Sequence, residues 1–344
     1  MTASSLAPVA PVASSRVTRF AGLLTLALAL VGCTEQLDAG RTRPRGLLPV
    51  DERNPIILTD DGAYDNWAPE YAILLANSGG AELAGIIVSA SGAWPDLDAN
   101  LTGFGDLLDA ARRSGLRDLP NLIPSPNSLP LKRPDSGKVD DTTVRGTEGA
   151  WAIVKISAER ALPYRPVVIA TGGALTDIAL AYLLDPTVVE RVVVISSLGA
   201  LDTTGAAMGK PNGEMDPWAD YIVATKFQYV QVSAYYDQLA DVPDSSRAIL
   251  PMNPFGDWMR AKQPRILEIA VASDQVSVLA AWLPGFVEQV QKVSAPTLWA
   301  GDSAAGPHLT LDPAGNILLV NDTAGALASA RLWQLLKADS TFSK

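Results

Sequence analysis

Short runs of consecutive apolar residues alternate along this chain with amphipathic stretches of helical spacing. The runs are Ile56–Thr59, Leu83–Ala90, Pro166–Ala170 and Arg191–Ser196. A strand that is apolar at almost every position must be covered on both faces, which is the situation of strands in a parallel sheet. Residues 68–76, 101–113 and 150–161 have the spacing of helices, and the turn at Thr171-Gly172-Gly173 opens another that ends near Asp185-Pro186. The C-terminal third adds helices at 275–283 and 324–337, with an apolar segment at 315–320 between turns. The expected fold is therefore α/β: an open, mostly parallel sheet with helices on both faces. Residues 118–143, rich in Pro, Asn and Asp, read as a long loop of the kind that serves as a lid.

The chain has 344 residues, 48% of them hydrophobic and 19% charged, enough to bury a core in one large domain. Its formal net charge of -10, with no basic stripe to offset it, excludes nucleic acid as a partner. At the N-terminus Arg16 and Arg19 precede the apolar run Phe20–Val31, which is too short to span a membrane and has the pattern of a secretory signal. It ends Leu30-Val31-Gly32-Cys33, which resembles a bacterial lipobox and implies cleavage before Cys33 and acylation of that cysteine. Cys33 is the only cysteine, so an internal disulfide is excluded. Several acyl chains anchor a protein to a membrane without spanning it, and Thr34 in the next position fits outer-membrane sorting in a Gram-negative cell. The expected organisation is a signal peptide (residues 1–32), a Gly- and Pro-containing tether (33–54) and one domain (55–344). Oligomeric state is left open, a homo-oligomer included.

The first apolar run stops on Asp60-Asp61-Gly62-Ala63-Tyr64-Asp65-Asn66. Ligands of open α/β sheets bind beyond the carboxyl ends of the strands. Carboxylates gathered there repel one another unless a cation or a shared proton holds them, and hard cations such as calcium take six to eight oxygen ligands. A polar turn with a helix cap would use the same residue types. Two later segments also place polar groups at the mouth of an apolar element, Gly173–Ala179 and Ser273–Ala280.

In order and rough spacing these segments resemble the nucleoside hydrolase (inosine–uridine preferring) superfamily and its relatives. Leu58–Asp65 stands where that family has Asp-x-Asp-Pro-Gly-x-Asp-Asp. Gly173-Ala174-Leu175-Thr176-Asp177-Ile178-Ala179 matches its Gly-Pro-Leu-Thr-Asn helix start. Asn212–Ala219 matches Asn-x-x-x-Asp-Pro-x-Ala, and Ser273-Asp274 half matches a C-terminal His-Asp. The resemblance implies calcium held by the side chains of Asp60, Asp65 and Asp274 and by the Thr176 carbonyl. It also implies a ribose contacted by Asn212 and a small nucleoside or sugar as ligand; Asn66 beside the carboxylates, and Trp218 with Trp67, Trp94 and Trp258 near loop mouths or helix starts, are further candidates for substrate contact. The reaction implied is hydrolysis of an N-ribosidic bond. The cation lowers the pKa of water, an aspartate takes the proton, and the attacked anomeric carbon carries oxocarbenium-like charge.

The chain also departs from the pattern. Leu58 replaces the first aspartate, Asp61 the proline and Tyr64 the first of the paired aspartates, which is the expected base. Asp61 and Asp65 are then the remaining candidates for that role. Ser273 stands in place of the histidine, and the only histidine, His308, has no motif around it. Two functions are therefore expected to compete: a lipid-anchored calcium-dependent N-glycosidic hydrolase, and a non-catalytic sugar- or nucleoside-binding lipoprotein on the same fold. A purely structural protein would leave the carboxylates scattered in space.

Overall fold

The structure, a computed structural model, describes residues 46–79, 82–126, 129–197, 212–234, 236–268, 271–295 and 309–343. The signal segment, Cys33 and His308 lie outside the described residues. In chain order the elements are β1 (Ile56–Asp60), α1 (Ala68–Ser78), β2 (Leu83–Ser89), α2 (Leu97–Arg113), β3 (Leu122–Ser125), α3 (Glu148–Arg160), β4 (Val167–Thr171), α4 (Thr176–Leu184) and β5 (Val192–Ser197). There follow α5 (Asn212–Met215), α6 (Pro217–Lys226), β6 (Gln228–Val232), α7 (Pro254–Ile266), α8 (Gln275–Trp282), β7 (Val287–Ser294), β8 (Thr310–Leu311), β9 (Ile317–Thr323), α9 (Gly325–Lys337) and α10 (Asp339–Phe342). The strands form one sheet in the order β3-β2-β1-β4-β5-β6-β9-β7-β8. The ladder is parallel from β3 to β9, and β7 then pairs antiparallel with both β9 and β8.

Alternation along the strands divides the core in two. Ile56 and Leu58 of β1 face one cluster with residues of α1, α2, α7, α8 and α9. Ile57 faces the other, with residues of α3, α4 and α6. Both faces are covered, as the unbroken apolar strands require. Because β1, β4 and β5 are parallel neighbours, their carboxyl ends arrive together: Thr59 lies opposite Thr171, and Thr171 opposite Ser196.

Three expectations need correction. The segment 118–143 is not all loop, because Leu122–Ser125 forms an edge strand parallel to β2, with Leu122 opposite Ile86. The apolar segment at 315–320 belongs to a strand, Ile317–Thr323, whose last residues are polar where the sheet edge meets water. The tether ends earlier than residue 54: Leu48 and Val50 are buried in the first core cluster, and Asn54 bonds both Trp282 and Pro166. Strand β6 (Gln-Tyr-Val-Gln-Val) escaped notice because glutamines interrupt its apolar pattern, although Gln231 is buried.

Asp220 lies wholly buried on α6, and neither carboxylate oxygen has a hydrogen-bond partner among the described residues. Burial, with repulsion from Asp216, pushes its pKa up to about 7. An aspartate in the unfolded chain titrates near 4 (~3.9). Between those values the folded state holds a proton that the unfolded state lacks. The stability this group supplies is therefore full below about pH 4 and is lost as pH rises through about 7. We predict that Asp220→Asn flattens the fall in melting temperature between about pH 5 and about pH 8, and that the variant melts above wild type at the upper end. Parallel melting curves for the two proteins across that range would refute the assignment.

Candidate metal centre

The carboxylates predicted from sequence converge at the carboxyl edge of the sheet. One oxygen from each of Asp60, Asp65 and Asp274 can be chosen so that all lie within 4.8 Å of one another. Asp60 ends β1, Asp65 stands in the turn before α1, and Asp274 immediately precedes α8. Asp60 and Asp274 are buried and Asp65 is partly exposed. Gly172, just beyond β4, makes the approach of Asp274 possible, since a β-carbon there would lie 2.4 Å from that of Asp274.

Asp274 is held most tightly. Its Oδ1 accepts from Ser197 Oγ at 2.6 Å and Asn212 Nδ2 at 3.1 Å, and its Oδ2 from Asn66 Nδ2 at 3.0 Å. The Asn66 amide also donates to Asp65 Oδ1 at 2.8 Å and Asp60 Oδ2 at 3.4 Å, while its own oxygen accepts from the Ala68 amide at 2.7 Å and starts α1. The Gly62 amide donates to Asp60 Oδ1 at 3.1 Å. Burial raises the pKa of all three carboxyls. For Asp60 the repulsion of Asp274, Asp65 and Asp61 adds to it, and for Asp274 that of Asp65 and Asp61. For Asp65 the positive charge of Lys262 and hydrogen bonds from Asn66 and Trp94 work against burial. The donor set is all oxygen, convergent and self-repelling, so these residues fit a hard divalent cation.

Asp61 is buried beside the cluster, with Oδ2 lacking a partner among the described residues and its carboxyl close to Gly173. Burial pushes it up to about 7 against an opposing bond from Ser91. Beneath Asp65 a buried ion pair joins α7 to α1: Lys262 Nζ lies 2.7 and 2.9 Å from the two oxygens of Glu70 and 5.1 Å from the Trp67 ring centre.

Of the residues named from sequence, Asp60, Asp65, Asp274, Asn66 and Asn212 come together, with Asp61 alongside. Trp218 does not join them, and the side chain of Thr176 turns elsewhere. Thr176 lies within α4 as its first residue, and its hydroxyl turns to Asp216 at 2.7 Å; the segment bordering the carboxylates is Gly172-Gly173, at the end of β4. Trp218 is buried on the opposite face, stacked on Tyr221 and donating to Thr142 Oγ1 at 3.0 Å. Its neighbour Asp216 caps α6 and accepts from the Leu131 amide, which accounts for an Asp-Pro pair there. The Tyr64 ring packs tilted against that of Trp258 at 5.1 Å, with Arg265 over it, and Leu58 is core. Sequence reasoning missed Ser197 and Lys262. Ser197 carried a weak signal as a hydroxyl at the end of an apolar strand, and Lys262 carried none.

The fold and the site together define a class: an α/β protein with the nucleoside hydrolase fold and an acidic centre at the carboxyl edge of its sheet. No protein-family model matches the chain, and no curated protein sequence does. Among solved structures it is similar to a plant nucleoside hydrolase, with TM-score 0.58 and 16% identity over 85% of this chain and 100% of that one. It is likewise similar to the inosine-uridine preferring nucleoside hydrolase of Bacillus anthracis (TM-score 0.58, 14% identity, 83% and 99% covered) and to the purine-preferring ribonucleoside hydrolase of Gardnerella vaginalis (0.58, 13%, 83% and 99%). Identities this low establish the fold.

The metal assignment predicts a calcium isotherm by calorimetry and a higher melting temperature with calcium than with a chelator, by RT ln(1 + [L]/Kd), about 2.7 kcal/mol at a hundredfold excess over Kd. Asp274→Asn, which keeps most of the hydrogen-bonding shape, should weaken binding at least about tenfold, because one charged ligand is lost. Wild-type protein indifferent to calcium in both measurements would end the assignment.

Proposed function

We propose that this protein is a calcium-dependent hydrolase of N-glycosidic bonds in ribonucleosides or related glycosides, held at a membrane surface by acyl chains on Cys33. The observation that carries the reading is the convergence of Asp60, Asp65 and Asp274 at the carboxyl edge of a nucleoside hydrolase fold. When bound there, a divalent cation would lower the pKa of water and engage the hydroxyls of a sugar. The protein's own groups supply the rest. Asp61, with a free oxygen and a pKa near neutrality, is suited to take a proton from water, and Asp65 is the second candidate. Asn212 and Asn66, fixed by their bonds to Asp274, orient a sugar beside the carboxylates. The negative potential of the cluster favours positive charge developing on the anomeric carbon.

The anchor rests on the lipobox-like run that ends Leu30-Val31-Gly32-Cys33. Among the described residues no helix is long and apolar enough to cross a membrane. Cys33→Ala should move the protein from the membrane fraction to the soluble one, and an unchanged distribution would count against acylation.

A second reading, a non-catalytic binding lipoprotein, has its own support. Tyr64 is turned into an aromatic stack and Ser273 stands where an imidazole would serve the leaving group. One assay separates the two: release of free ribose from inosine and uridine, with calcium or with chelator. Catalysis predicts calcium-dependent release, lowered at least about a hundredfold by Asp60→Asn. It also predicts a kcat/KM that rises with pH through an ionisation near 7, which Asp61→Asn removes. Tight calcium binding with no turnover of either nucleoside would leave the binding reading in possession.

A further inference from the structure

We propose that Trp94 is the ring-stacking platform of this site, receiving the apolar face of the substrate's sugar on its exposed indole. The inference rests on the glycoside reading above for the class of ligand, and on the geometry of one turn for the residue.

That turn follows β2, whose Val88 lies opposite Asp60, and Ser89 Oγ donates to the Asp60 carbonyl at 3.5 Å. Ser91–Trp94 therefore stands on the same sheet edge as the carboxylates. Its backbone is pinned from several sides. Ser91 N donates to the Trp94 carbonyl at 3.1 Å, Ser91 Oγ accepts from Ala93 N and Trp94 N at 3.1 Å each, and Asn100 Nδ2 links the Trp94 and Ser89 carbonyls at 3.2 and 3.0 Å. Asp96 then caps α2 through the Ala99 amide at 3.0 Å.

On this rigid turn Trp94 is 38% exposed, whereas Trp67, Trp218 and Trp282 are buried. A fixed backbone that holds a large aromatic side chain partly in water forgoes a gain of about 25 cal/mol per Å² of apolar surface. Trp151 is also exposed, but it sits on α3 and packs over Gly146. Trp94 alone of these lies near enough to the cluster to act on one of its carboxylates, lowering that of Asp65 against the effect of burial. The turn's place on the sheet edge sets the exposed part of the ring beside the site. The ring that meets it belongs to whichever part of the ligand has hydroxyls at the cluster, which is the sugar rather than the base. Aromatic faces accept such C–H-rich surfaces in binding pockets.

The test measures dissociation constants for ribose and for inosine, in calcium, with wild type, Trp94→Phe and Trp94→Ala, and the calcium affinity of each protein. Stacking on the sugar predicts that Trp94→Ala weakens ribose and inosine by the same factor, about tenfold, which is a typical aromatic stacking contribution. Trp94→Phe should stay within about threefold, because the ring face survives. Calcium affinity should change by no more than about twofold, which also shows that the variants fold. Unchanged ribose affinity in Trp94→Ala overturns the proposal, and so does a loss confined to inosine, which would place the base on the ring. Equal weakening by Phe and Ala overturns it as well, because the polar edge of the indole would then be what matters. Wild type that binds neither ribose nor inosine removes it outright. Ribose binding that depends on Trp94 without hydrolysis of inosine would sustain the platform while overturning the hydrolase.

Discussion

The site depends on one close approach, that of Asp274 to Gly172. Every residue of α8 is buried, and the helix packs on β4, β5 and α1, so its position is set by the core. It can deliver Asp274 to the strand ends only because no β-carbon occupies Gly172. Asp60 and Asp65 come from the other side, on β1 and the turn after it. The gathering of carboxylates is thus imposed by packing against their electrostatics. At about 5 Å and an effective dielectric constant of about 20, two full charges repel by about 3 kcal/mol. A typical hydrogen bond contributes about 1 kcal/mol net. The bonds from Ser197, Asn212 and Asn66 orient the carboxylates but are too weak to hold several negative charges together. Bound protons or a cation must do so, and the raised pKa values are the first of these two solutions.

Lys262 is not the missing counter-charge. It is buried within bonding distance of both oxygens of Glu70, so the pair beneath Asp65 is close to neutral as a unit. Its effect on Asp65 is that of a nearby dipole, and Trp258, which also donates to Glu70, ties the pair to the stack containing Tyr64. Removing one partner of such a pair typically costs about 3–5 kcal/mol, which marks it as a structural floor under the site.

Sequence made much of this legible because parallel strands covered on both faces leave few alternatives. Ile56–Thr59 and its neighbours could only be central strands, and their ends could only be the functional edge. Asp60, Asp65 and Asp274 followed from that placement together with family resemblance. What stayed hidden was determined by contacts between distant segments. Trp218 looked like a rim aromatic because it follows Asp216-Pro217, yet the cap at Asp216 starts a helix that turns the indole into the far core. Thr176 opens α4, and its hydroxyl turns to Asp216, a partner that no motif announces. Strand β3 hid in a Pro-rich stretch because edge strands tolerate proline, and Pro124 stands in it.

Among the described residues, buried acids with raised pKa values occur at the sheet edge, at Asp216 and Asp220, and at Asp241, and their comparison shows what separates a site from a structural group. Asp220 is as perturbed as Asp61, but it is solitary in its hydrogen bonding and sealed from solvent. A perturbed pKa records desolvation wherever it occurs, so it cannot by itself assign function. At the sheet edge three further facts accompany it: oxygen atoms from two chain segments far apart in sequence converge, one of those carboxylates is partly exposed, and amide groups fix the orientation of the rest. Convergence gives a cation its shell, exposure gives a ligand its approach, and fixed amides limit the geometries it can adopt. Leu58 in β1 and Tyr64 in the turn after it contribute to none of these, so the positions that depart from the resemblance leave the convergence of carboxylates intact.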